Sequence, residues 1–298
     1  MNPIAESGGV VIPRKIWIMW YQGYAAAPYL VRKSIDSWRK HHPTWDFVFL
    51  DSTNYRKYVK LEADINLDKV PLVHQSELVR LALLRDYGGV WVDATAFCVA
   101  PLDNWIDEHC RSGFFAYARP APDRLLSSWF LASVKGGPVA TKLYQQLSSY
   151  WSDNQFNHPN FLQKLLVKIL SCYFNRNDRT THRWFSPAVT KIAGVYPYFM
   201  FHYLFAQLVD TDAEVRGIWE NTVKVSADKP HLVQFKYGFT APVTAEIKQV
   251  IDGGTIPMFK LNHRFDQRNY LAGTVLFYLL EELDYVASSS PDIGNFFG

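Results

Sequence analysis

The chain has 298 residues, of which 48% are hydrophobic and 16% aromatic, a composition that supports a large core and excludes disorder over most of the length. The 31 Lys and Arg residues are nearly balanced by 28 Asp and Glu residues, which argues against a nucleic-acid-binding protein.

The cysteines and the hydropathy pattern predict a cytoplasmic protein. Cys98, Cys110 and Cys172 have no CxxC spacing, which argues against a disulfide framework or a zinc site. The first 12 residues lack the basic and apolar segments of a signal peptide. No apolar run reaches the roughly 18 residues of a membrane-spanning helix. We therefore expect a cytoplasmic location, with contact at the inner face of the membrane as the alternative.

The first hundred residues are predicted to alternate between strands and helices. Apolar runs predict strands at 15–20, 45–50 and 90–92, and apolar residues at helical spacing predict helices at 28–40 and 74–87. This order is typical of a parallel sheet with flanking helices. Ligands of such sheets bind at the carboxyl ends of the strands, where Trp20, Asp51 and Asp93 stand in this sequence.

The second half of the chain is predicted to be less regular. Strands are expected at 113–118 and 128–132, with a strand-like piece at 257–261, and helices at 138–151, 161–174, 196–209 and 270–283. The apolar positions of the helix 161–174 are Leu165, Leu166, Ile169 and Leu170. The apolar side of the last helix consists of Leu271, Val275, Leu276, Leu279 and Leu280. The last helix is predicted to pack on the protein, with a bilayer surface as the alternative.

One segment, 76–95, carries most of the functional information. Glu77 and Arg80 are three residues apart on one helix and therefore share a face. Gly88 and Gly89 end this helix and reverse the chain into the next strand. This turn is expected to bring Arg80 and Asp93 to one end of a pocket, where a cation and a carboxylate can bind a charged ligand.

The sequence resembles the capsular polysaccharide synthesis proteins, which are related to the DXD-bearing glycosyltransferases. The most specific part of the resemblance is Ser76 to Thr95, with its run Tyr-Gly-Gly-Val-Trp-Val-Asp-Ala-Thr. The start of the chain also resembles the family, at Ile12 to Trp17, Trp20, Gln22-Gly23, Ala27-Pro28 and Ser37-Trp38. Weaker matches follow later, at Ser128-Trp129-Phe130, Tyr198-Phe199, His202 and Leu204-Phe205.

The resemblance implies a bacterial hexosyltransferase-type enzyme with a GT-A-like (Rossmann-like) α/β fold. Such a fold has a mostly parallel sheet flanked by helices, here with additional C-terminal helices. A flexible lead at 1–12 would precede one domain, 13–287, and a mobile tail would follow at 288–298. Within the domain, 13–112 would bind the nucleotide sugar and 113–287 would form the acceptor side. The donor would be a nucleotide-diphosphate sugar, in the first place a UDP-sugar, transferred with retention to a surface-polysaccharide or lipid-linked glycan acceptor.

The resemblance also assigns roles to single residues. Trp20 matches the ring beside the nucleotide base, Arg80 the donor-contacting Arg, and Asp93 the first Asp of the DXD motif and the candidate ligand of Mn²⁺ or Mg²⁺. Glu77 stands where relatives have an Asp, and is expected to hold the donor together with Asp93. Thr95 replaces the second Asp, which normally binds the metal directly. A hydroxyl is a poor ligand for these ions, so metal dependence stays open.

Further candidates come from outside this segment. The resemblance to GT-A enzymes makes His263 a candidate partner of the diphosphate or the metal. Lys260 and Arg264 would neutralise the phosphates if no metal is bound, and Asp51 is a candidate contact of the base or the ribose. Trp129, Tyr198 and His202 are candidates for the acceptor side. Each of these residues also has an interpretation without a functional role. Residues 262–264 would then form a surface loop, and Asp51 a strand-end turn. The aromatic residues would pack in the core, and Arg80 would form a buried ion pair with Glu77.

Two other functions remain compatible with the sequence. The missing second Asp also fits a catalytically silent module that binds a nucleotide sugar or a glycan within a polysaccharide assembly complex. A transferase that modifies a protein is the third hypothesis.

Overall fold

The computed structural model describes residues 11–62, 64–157, 159–265 and 270–283. The predicted tail, 288–298, and most of the predicted lead, 1–12, lie outside the described residues. Ile12 is described and is only 1% exposed, so its assignment to a flexible lead is wrong.

The strands of the described residues form a five-stranded sheet of order β2-β1-β3-β6-β5 and a two-stranded sheet of β4 and β7. Their bounds are Lys15–Met19 (β1), Asp46–Leu50 (β2), Gly89–Asp93 (β3), Ala96–Cys98 (β4), Phe114–Ala121 (β5), Arg124–Ser133 (β6) and Met258–Lys260 (β7).

Four of the five strands in the large sheet run in the same direction. Strand β1 pairs in parallel with β2 and β3, as the alternating pattern predicts. Strand β6 runs antiparallel to both β3 and β5. Strands β5 and β6 are connected by the two-residue turn Pro122-Asp123. A turn this short can join only antiparallel strands, which explains the reversal.

The α-helices of the described residues are Tyr29–His41 (α1), Leu72–Tyr87 (α2), Ile106–His109 (α3), Pro138–Asp153 (α4), Phe161–Phe174 (α5), Met200–Thr211 (α6), Ala213–Asn221 (α7), Ala245–Asp252 (α8) and Val275–Phe277 (α9). Shorter 3₁₀-helical segments are Tyr55–Lys57, Leu67–Lys69, Leu102–Asn104 and Asp178–Phe185. Segments of π-helix are Ala188–Ala193, Leu232–Tyr237 and Tyr278–Glu282, the last continuing α9.

Two predicted helices begin later than expected. Helix α6 begins at Met200 rather than at 196, because Pro197 disfavours helical geometry in the residue before it. Helix α9 begins at Val275 rather than at 270, where the Thr274 side chain accepts the Phe277 N–H as an N-cap.

The large sheet is covered by helices on both faces. Trp17, Trp91 and Leu131 share one apolar cluster with buried residues of α2, α4, α6 and α7. Ile16, Val92 and neighbouring strand residues point the other way and share a second cluster with α1. The result is a three-layer α/β architecture, which agrees with the predicted fold class at this level.

The C-terminal part forms a third cluster beside the small sheet. Val275, Leu276, Leu279 and Leu280 are buried in it, as predicted for a helix that packs on the protein. Leu271 is 61% exposed, so its assignment to the core is wrong. The ladder of β4 and β7 places Lys260 opposite Ala96, and this pairing brings β7 close to the end of β3.

Helix α5 has the predicted bounds, but its apolar positions are not all covered. Leu165 is 46% exposed and Ile169 is 48% exposed, so these two apolar positions lie outside the core. None of the residues of α5 is buried. The helix therefore covers the protein with one face and presents an apolar face outwards.

Candidate active site

The paired glycines set the geometry of the site. Gly88 ends α2 with φ +69°, and Gly89 begins β3 with φ +94°. A Cβ atom on Gly89 would lie 2.5 Å from the Lys15 carbonyl oxygen, so only glycine lets β3 approach β1 this closely. The chain consequently turns directly from the end of α2 into β3, and Asp93 is at the carboxyl end of that strand.

Arg80 and Asp93 lie together, as the sequence predicts. Arg80 Nη2 is 3.4 Å from Asp93 Oδ1, and the Arg80 side chain is 5% exposed whereas that of Asp93 is 30% exposed. The Arg80 guanidinium also donates to the Ser128 carbonyl of β6 and to Ser76 Oγ at 3.3 Å. Its carbon lies 5.0 Å from the ring centre of Trp91. Arg80 is therefore held on several sides with one edge toward Asp93.

Asp93 has two further partners. Trp91 Nε1 donates to Asp93 Oδ1 at 3.0 Å, and Lys260 Nζ lies 3.9 Å from Asp93 Oδ2. Lys260 Nζ also donates to Thr95 Oγ1. Burial lowers the pKa of Lys260, and Arg80 lowers it further, while Asp93 opposes both effects. The carboxylate thus stands between two cations that come from different parts of the chain.

This arrangement is a poor fit for a divalent cation. The Lys260 ammonium lies 3.9 Å from Asp93 Oδ2 and donates to Thr95 Oγ1, and these are the two residues that the resemblance matches to the DXD motif. A metal there would face a like charge, with one carboxylate and a weakly binding hydroxyl as its ligands. No group of three or more His, Cys, Asp or Glu suited to a metal occurs among the described residues.

Trp20 and His263 meet beside this site. Their ring centres are 5.4 Å apart and the ring planes are at 74°. The residue that directly follows β1 therefore contacts the loop that follows β7. The Trp20 indole nitrogen is buried without a hydrogen-bond partner among the described residues. His263 is exposed, and partial burial lowers the pKa of its ring, with Arg264 and Lys260 contributing. Trp20 therefore offers an unused donor next to a neutral imidazole.

Asp51 is engaged in a local turn. Asp51 Oδ1 accepts from Thr53 Oγ1 at 2.6 Å, from the Thr53 N–H at 2.8 Å and from the Asn54 N–H at 3.2 Å. These hydrogen bonds, that of the Thr53 hydroxyl above all, lower the pKa of Asp51. The arrangement is the strand-end turn that the sequence leaves as the alternative to a donor contact.

Glu77 pairs with a residue that sequence reasoning missed. His74 Nδ1 lies 2.7 Å from Glu77 Oε2, and both side chains are almost fully buried. The alternative ion pair of Arg80 with Glu77 is not the one the structure forms. His74 precedes Glu77 by the same three residues that separate Glu77 from Arg80, and this spacing was the available signal.

The three candidates for the acceptor side differ in exposure. Trp129 is 7% exposed and stacks on Tyr117 with ring centres 4.9 Å apart. Tyr198 is 65% exposed, with its ring 6.4 Å from that of His74. His202 is buried on α6, and burial lowers its pKa to about 3, with Arg124 and Arg80 contributing. Of the three, only Tyr198 presents its ring to solvent.

Arg124 and Asp123 were not singled out by the sequence, although they belong to a buried polar cluster. Asp123 is 6% exposed and accepts from Tyr203 Oη at 2.5 Å and from Arg124 Nε at 3.2 Å. Arg124 and Arg80 both lower the pKa of His202. Arg124 and Lys260 both lower the pKa of His231. Arg124 therefore adds a positive charge near His202 and His231 and is itself paired with the carboxylate of Asp123.

Two cavities flank the loop after β1. The larger, of about 600 Å³, extends from His263 to the start of α1 and is lined by Ala27, Pro28, Tyr29, Leu30, Arg32, His263, Phe265, Tyr270, Leu276 and Leu280. The smaller, of about 70 Å³, is lined by Met19, Tyr21, Tyr55, Leu72, Gln75, Ser76 and Val79. Both open at the carboxyl edge of the sheet, where α/β proteins bind ligands.

A family model described as capsular polysaccharide synthesis protein matches residues 6–186. The chain belongs to this family. The match contains Trp20, Arg80 and Asp93 but ends before Lys260 and His263, so the family model covers one side of the candidate site.

Two fungal proteins are similar to parts of this chain. The O-glycosyltransferase braB of Annulohypoxylon truncatum is 28% identical over 182 residues, which are 54% of this chain and 43% of that protein. The glycosyltransferase afumC of Aspergillus fumigatus (strain CBS 144.89 / FGSC A1163 / CEA10) is 32% identical over 115 residues, 34% of this chain and 28% of that protein. The matched segments therefore span less than half of either relative.

A solved structure titled PaToxG Glycosyltransferase aligns with 81% of this chain and 84% of its own, at a TM-score of 0.38 and 14% identity. Among the described residues, no helix has the length and apolar character needed to cross a bilayer.

Proposed function

We propose that this chain is a glycosyltransferase that uses a nucleotide-diphosphate sugar, with UDP-sugars as the first donors to test. One observation supports this proposal above the others. At the carboxyl end of a parallel strand, Asp93 lies 3.4 Å from Arg80 and 3.9 Å from Lys260. The two cations suit the diphosphate, and the carboxylate suits hydroxyls of the sugar or the ribose. A GT-A-like fold is part of the same proposal.

The positive charges would act on the leaving group. In the transfer, the bond between the anomeric carbon and the donor phosphate oxygen breaks, and its electron pair stays on the diphosphate. Buried, preorganised cations stabilise this developing charge better than solvent does. Arg80 and Lys260 are placed for this role, and His263 and Arg264 lie on the adjacent loop.

We assign no protein base, because a retaining transfer does not require one. The acceptor oxygen forms its bond to the anomeric carbon on the face from which the diphosphate departs. The acceptor proton then passes to the departing phosphate oxygen, so atoms and charges balance within the reacting groups. Retention and a polysaccharide or lipid-linked glycan acceptor are proposed from the family, whose description names capsular polysaccharide synthesis.

We further propose that the reaction proceeds without a divalent cation. Lys260 Nζ contacts Asp93 and Thr95, so its ammonium lies where a DXD metal would neutralise the diphosphate. Its lowered pKa reflects burial, and binding of an anionic diphosphate would favour the charged form.

Trp20 is proposed to contact the nucleoside. Its indole nitrogen lacks a partner among the described residues, and its ring lies beside His263. Glu77 is assigned a positioning role in place of the predicted donor contact, because its carboxylate is bound to His74 and buried.

The decisive experiment measures nucleotide release from a panel of UDP-, GDP- and CMP-sugars, with Mn²⁺ and then with EDTA. We expect slow hydrolysis of one donor class, at equal rates in both conditions, and faster release when a glycan acceptor is added. Donor binding without turnover, across all donors and acceptors, would establish a silent binding module instead. Turnover abolished by EDTA would refute the role proposed for Lys260 while leaving glycosyl transfer intact.

A further inference from the structure

Helix α5 presents a continuous apolar stripe to solvent. Phe161 is 79% exposed, Leu162 71%, Leu165 46%, Ile169 48% and Tyr173 56%. These positions follow helical spacing, so they lie along one face over the full length of the helix. Exposed apolar side chains are common singly, whereas a contiguous row of five indicates an interaction surface.

The opposite face of the same helix already has a partner. Leu166, Val167, Leu170 and Phe174 pack against a small cluster that contains Trp184 and Tyr203. The Asn160 side chain accepts the Gln163 N–H, and the Gln163 side chain accepts the Asn160 N–H, which completes a capping box. Gln163 Nε2 also donates to the Ala193 carbonyl at 3.2 Å. The stripe is therefore held by a formed and anchored helix.

The charged side chains of α5 itself are both positive. Lys164 and Lys168 are exposed and lie one turn apart at its edge, and Arg176 follows the end of the helix. From residue 154 to residue 177 the sequence contains no Asp or Glu. A helix with an exposed apolar stripe and a basic edge is the pattern of a segment that lies in a membrane interface.

We propose that the outer face of α5 docks this protein on an anionic bilayer surface. The helix would lie in the plane of the interface, with Phe161, Leu162 and Ile169 among the acyl chains and Lys164 and Lys168 at the phosphates. With 14 residues it is about 21 Å long, too short to cross a bilayer.

The charge pattern favours a membrane over a second copy of the chain. A symmetric dimer through this face would place the same stripe against itself, and with it the lysines of one copy near those of the other. Anionic lipid supplies the opposite charge to all of these groups at once. The proposal is independent of the reaction at Asp93.

The first test is flotation of the whole protein with vesicles of phosphatidylcholine alone or with about one third phosphatidylserine. We expect binding to the anionic vesicles, with a large loss at high salt. Cys172 lies on the outer face and is exposed, whereas Cys98 and Cys110 are buried, so a polarity-sensitive dye can be attached to this position selectively. The emission of this dye should shift to the blue when anionic vesicles are added.

Matched variants identify the surface that binds. Each lysine near an anionic surface contributes about a fivefold factor, so a variant with Lys164→Gln and Lys168→Gln should need roughly 25-fold more lipid. Phe161→Ser with Leu162→Ser should abolish flotation. Val11→Ser with Leu271→Ser removes two apolar side chains that are 68% and 61% exposed elsewhere, and should bind like the wild type.

Three outcomes would overturn the proposal. They are wild-type protein that stays with the soluble fraction, α5 variants that float like the wild type, and a dimer that dissociates when the stripe is substituted. Circular dichroism of each variant establishes that loss of flotation does not come from unfolding, because all four substituted α5 side chains are exposed.

Discussion

The Arg80 guanidinium lies 3.4 Å from the Asp93 carboxylate, although the two residues belong to different elements joined by a glycine turn. Arg80 is buried and fixed by the Ser128 carbonyl, whereas Asp93 keeps part of its surface open. A buried cation with a partly exposed carboxylate forms a polarised edge, which a bound anion can contact without reorganising the protein.

Substitution of Asp93 tests the role of the pair Arg80 and Asp93 most directly. Asp93→Asn keeps the shape and the acceptor for Trp91 Nε1 but removes the charge between Arg80 and Lys260. We expect transfer and donor hydrolysis to fall by about 100-fold or more. Some loss of thermal stability is also expected, because the Arg80 side chain is only 5% exposed and loses its counter-charge, so activity is compared at a temperature at which circular dichroism shows the variant to be folded. Asp36→Asn, at an exposed carboxylate, is the control, and normal turnover by the Asp93 variant would remove this residue from the site.

Lys260 should be required where a divalent cation is not. Lys260→Met retains the aliphatic stem and loses the ammonium, so activity in EDTA should fall by roughly 100-fold. The same substitution at the exposed Lys57 should have no effect. We also expect that Lys260→Ala combined with Thr95→Asp gains activity on addition of Mn²⁺, because it replaces a cation by a second carboxylate ligand. Full activity of Lys260→Met in EDTA would contradict the proposed role.

The contact of Arg80 with Asp93 could be predicted from sequence because every step is local. Helical spacing places Arg80, the glycine pair ends the helix, and the next strand ends at Asp93. The contact of Lys260 with Thr95 could not be predicted, since it depends on pairing between β4 and β7, which are far apart in the chain. The partner of Glu77 was equally undecidable, because His74 and Arg80 both stand three residues from it.

Helix α5 shows a different limit of sequence patterns. Its bounds follow from the capping residue Asn160 and the long apolar run, and they were predicted correctly. Its orientation could not be predicted, because apolar side chains surround the helix and periodicity selects a buried face only when the other face is polar. The same feature that defeated the prediction is the one that supports the membrane surface proposed above.

The pair of His74 and Glu77 should contribute to stability more than to donor binding. Glu77→Ala leaves the buried His74 Nδ1 without its partner, which we expect to cost about 1–3 kcal/mol in the free energy of unfolding. Glu77→Gln retains an acceptor and should recover most of this loss. The KM for the donor should stay within about twofold of wild type for Glu77→Gln. A stable Glu77→Gln protein with a much higher donor KM would restore the donor contact expected from the sequence.

The close approach of β3 to β1 should make Gly89 less replaceable than Gly238, another glycine with positive φ. Gly89 and Gly238 have φ of +94° and +85°, so alanine at either is strained by the backbone. Only at Gly89 does the new Cβ meet an atom, the Lys15 carbonyl oxygen at 2.5 Å, and the neighbourhood of Gly238 is open within 4 Å. Gly238→Ala should lower the free energy of unfolding by about 1–2 kcal/mol because of the backbone strain. Gly89→Ala should lower it by the same amount plus about 1–3 kcal/mol from the clash with the Lys15 carbonyl. Urea unfolding measures both, and equal losses would show that β1 and β3 separate without penalty.

His42 should make the protein less stable in mild acid. His42 Nε2 accepts the Leu102 N–H at 2.8 Å and Nδ1 lies 2.8 Å from the Trp38 carbonyl, so the ring must be neutral with its proton on Nδ1. Burial lowers the pKa of His42 to about 4, with the Trp38 carbonyl and Asp103 opposing this shift. The unfolded chain binds a proton near pH 6.5, and the folded protein binds it only near pH 4.

The stabilising contribution of neutral His42 is therefore complete above pH 6.5 and decreases as the pH falls toward 4. The expected loss is about 1.4 kcal/mol per pH unit in this window, because one proton separates the two states. Urea unfolding of wild type and His42→Gln at pH 7, 6 and 5 isolates this proton, since all other histidines are common to both proteins. The variant should be less stable at pH 7 but lose less stability on acidification. Parallel pH profiles for the two proteins would show that the folded protein accommodates a charged ring at this position.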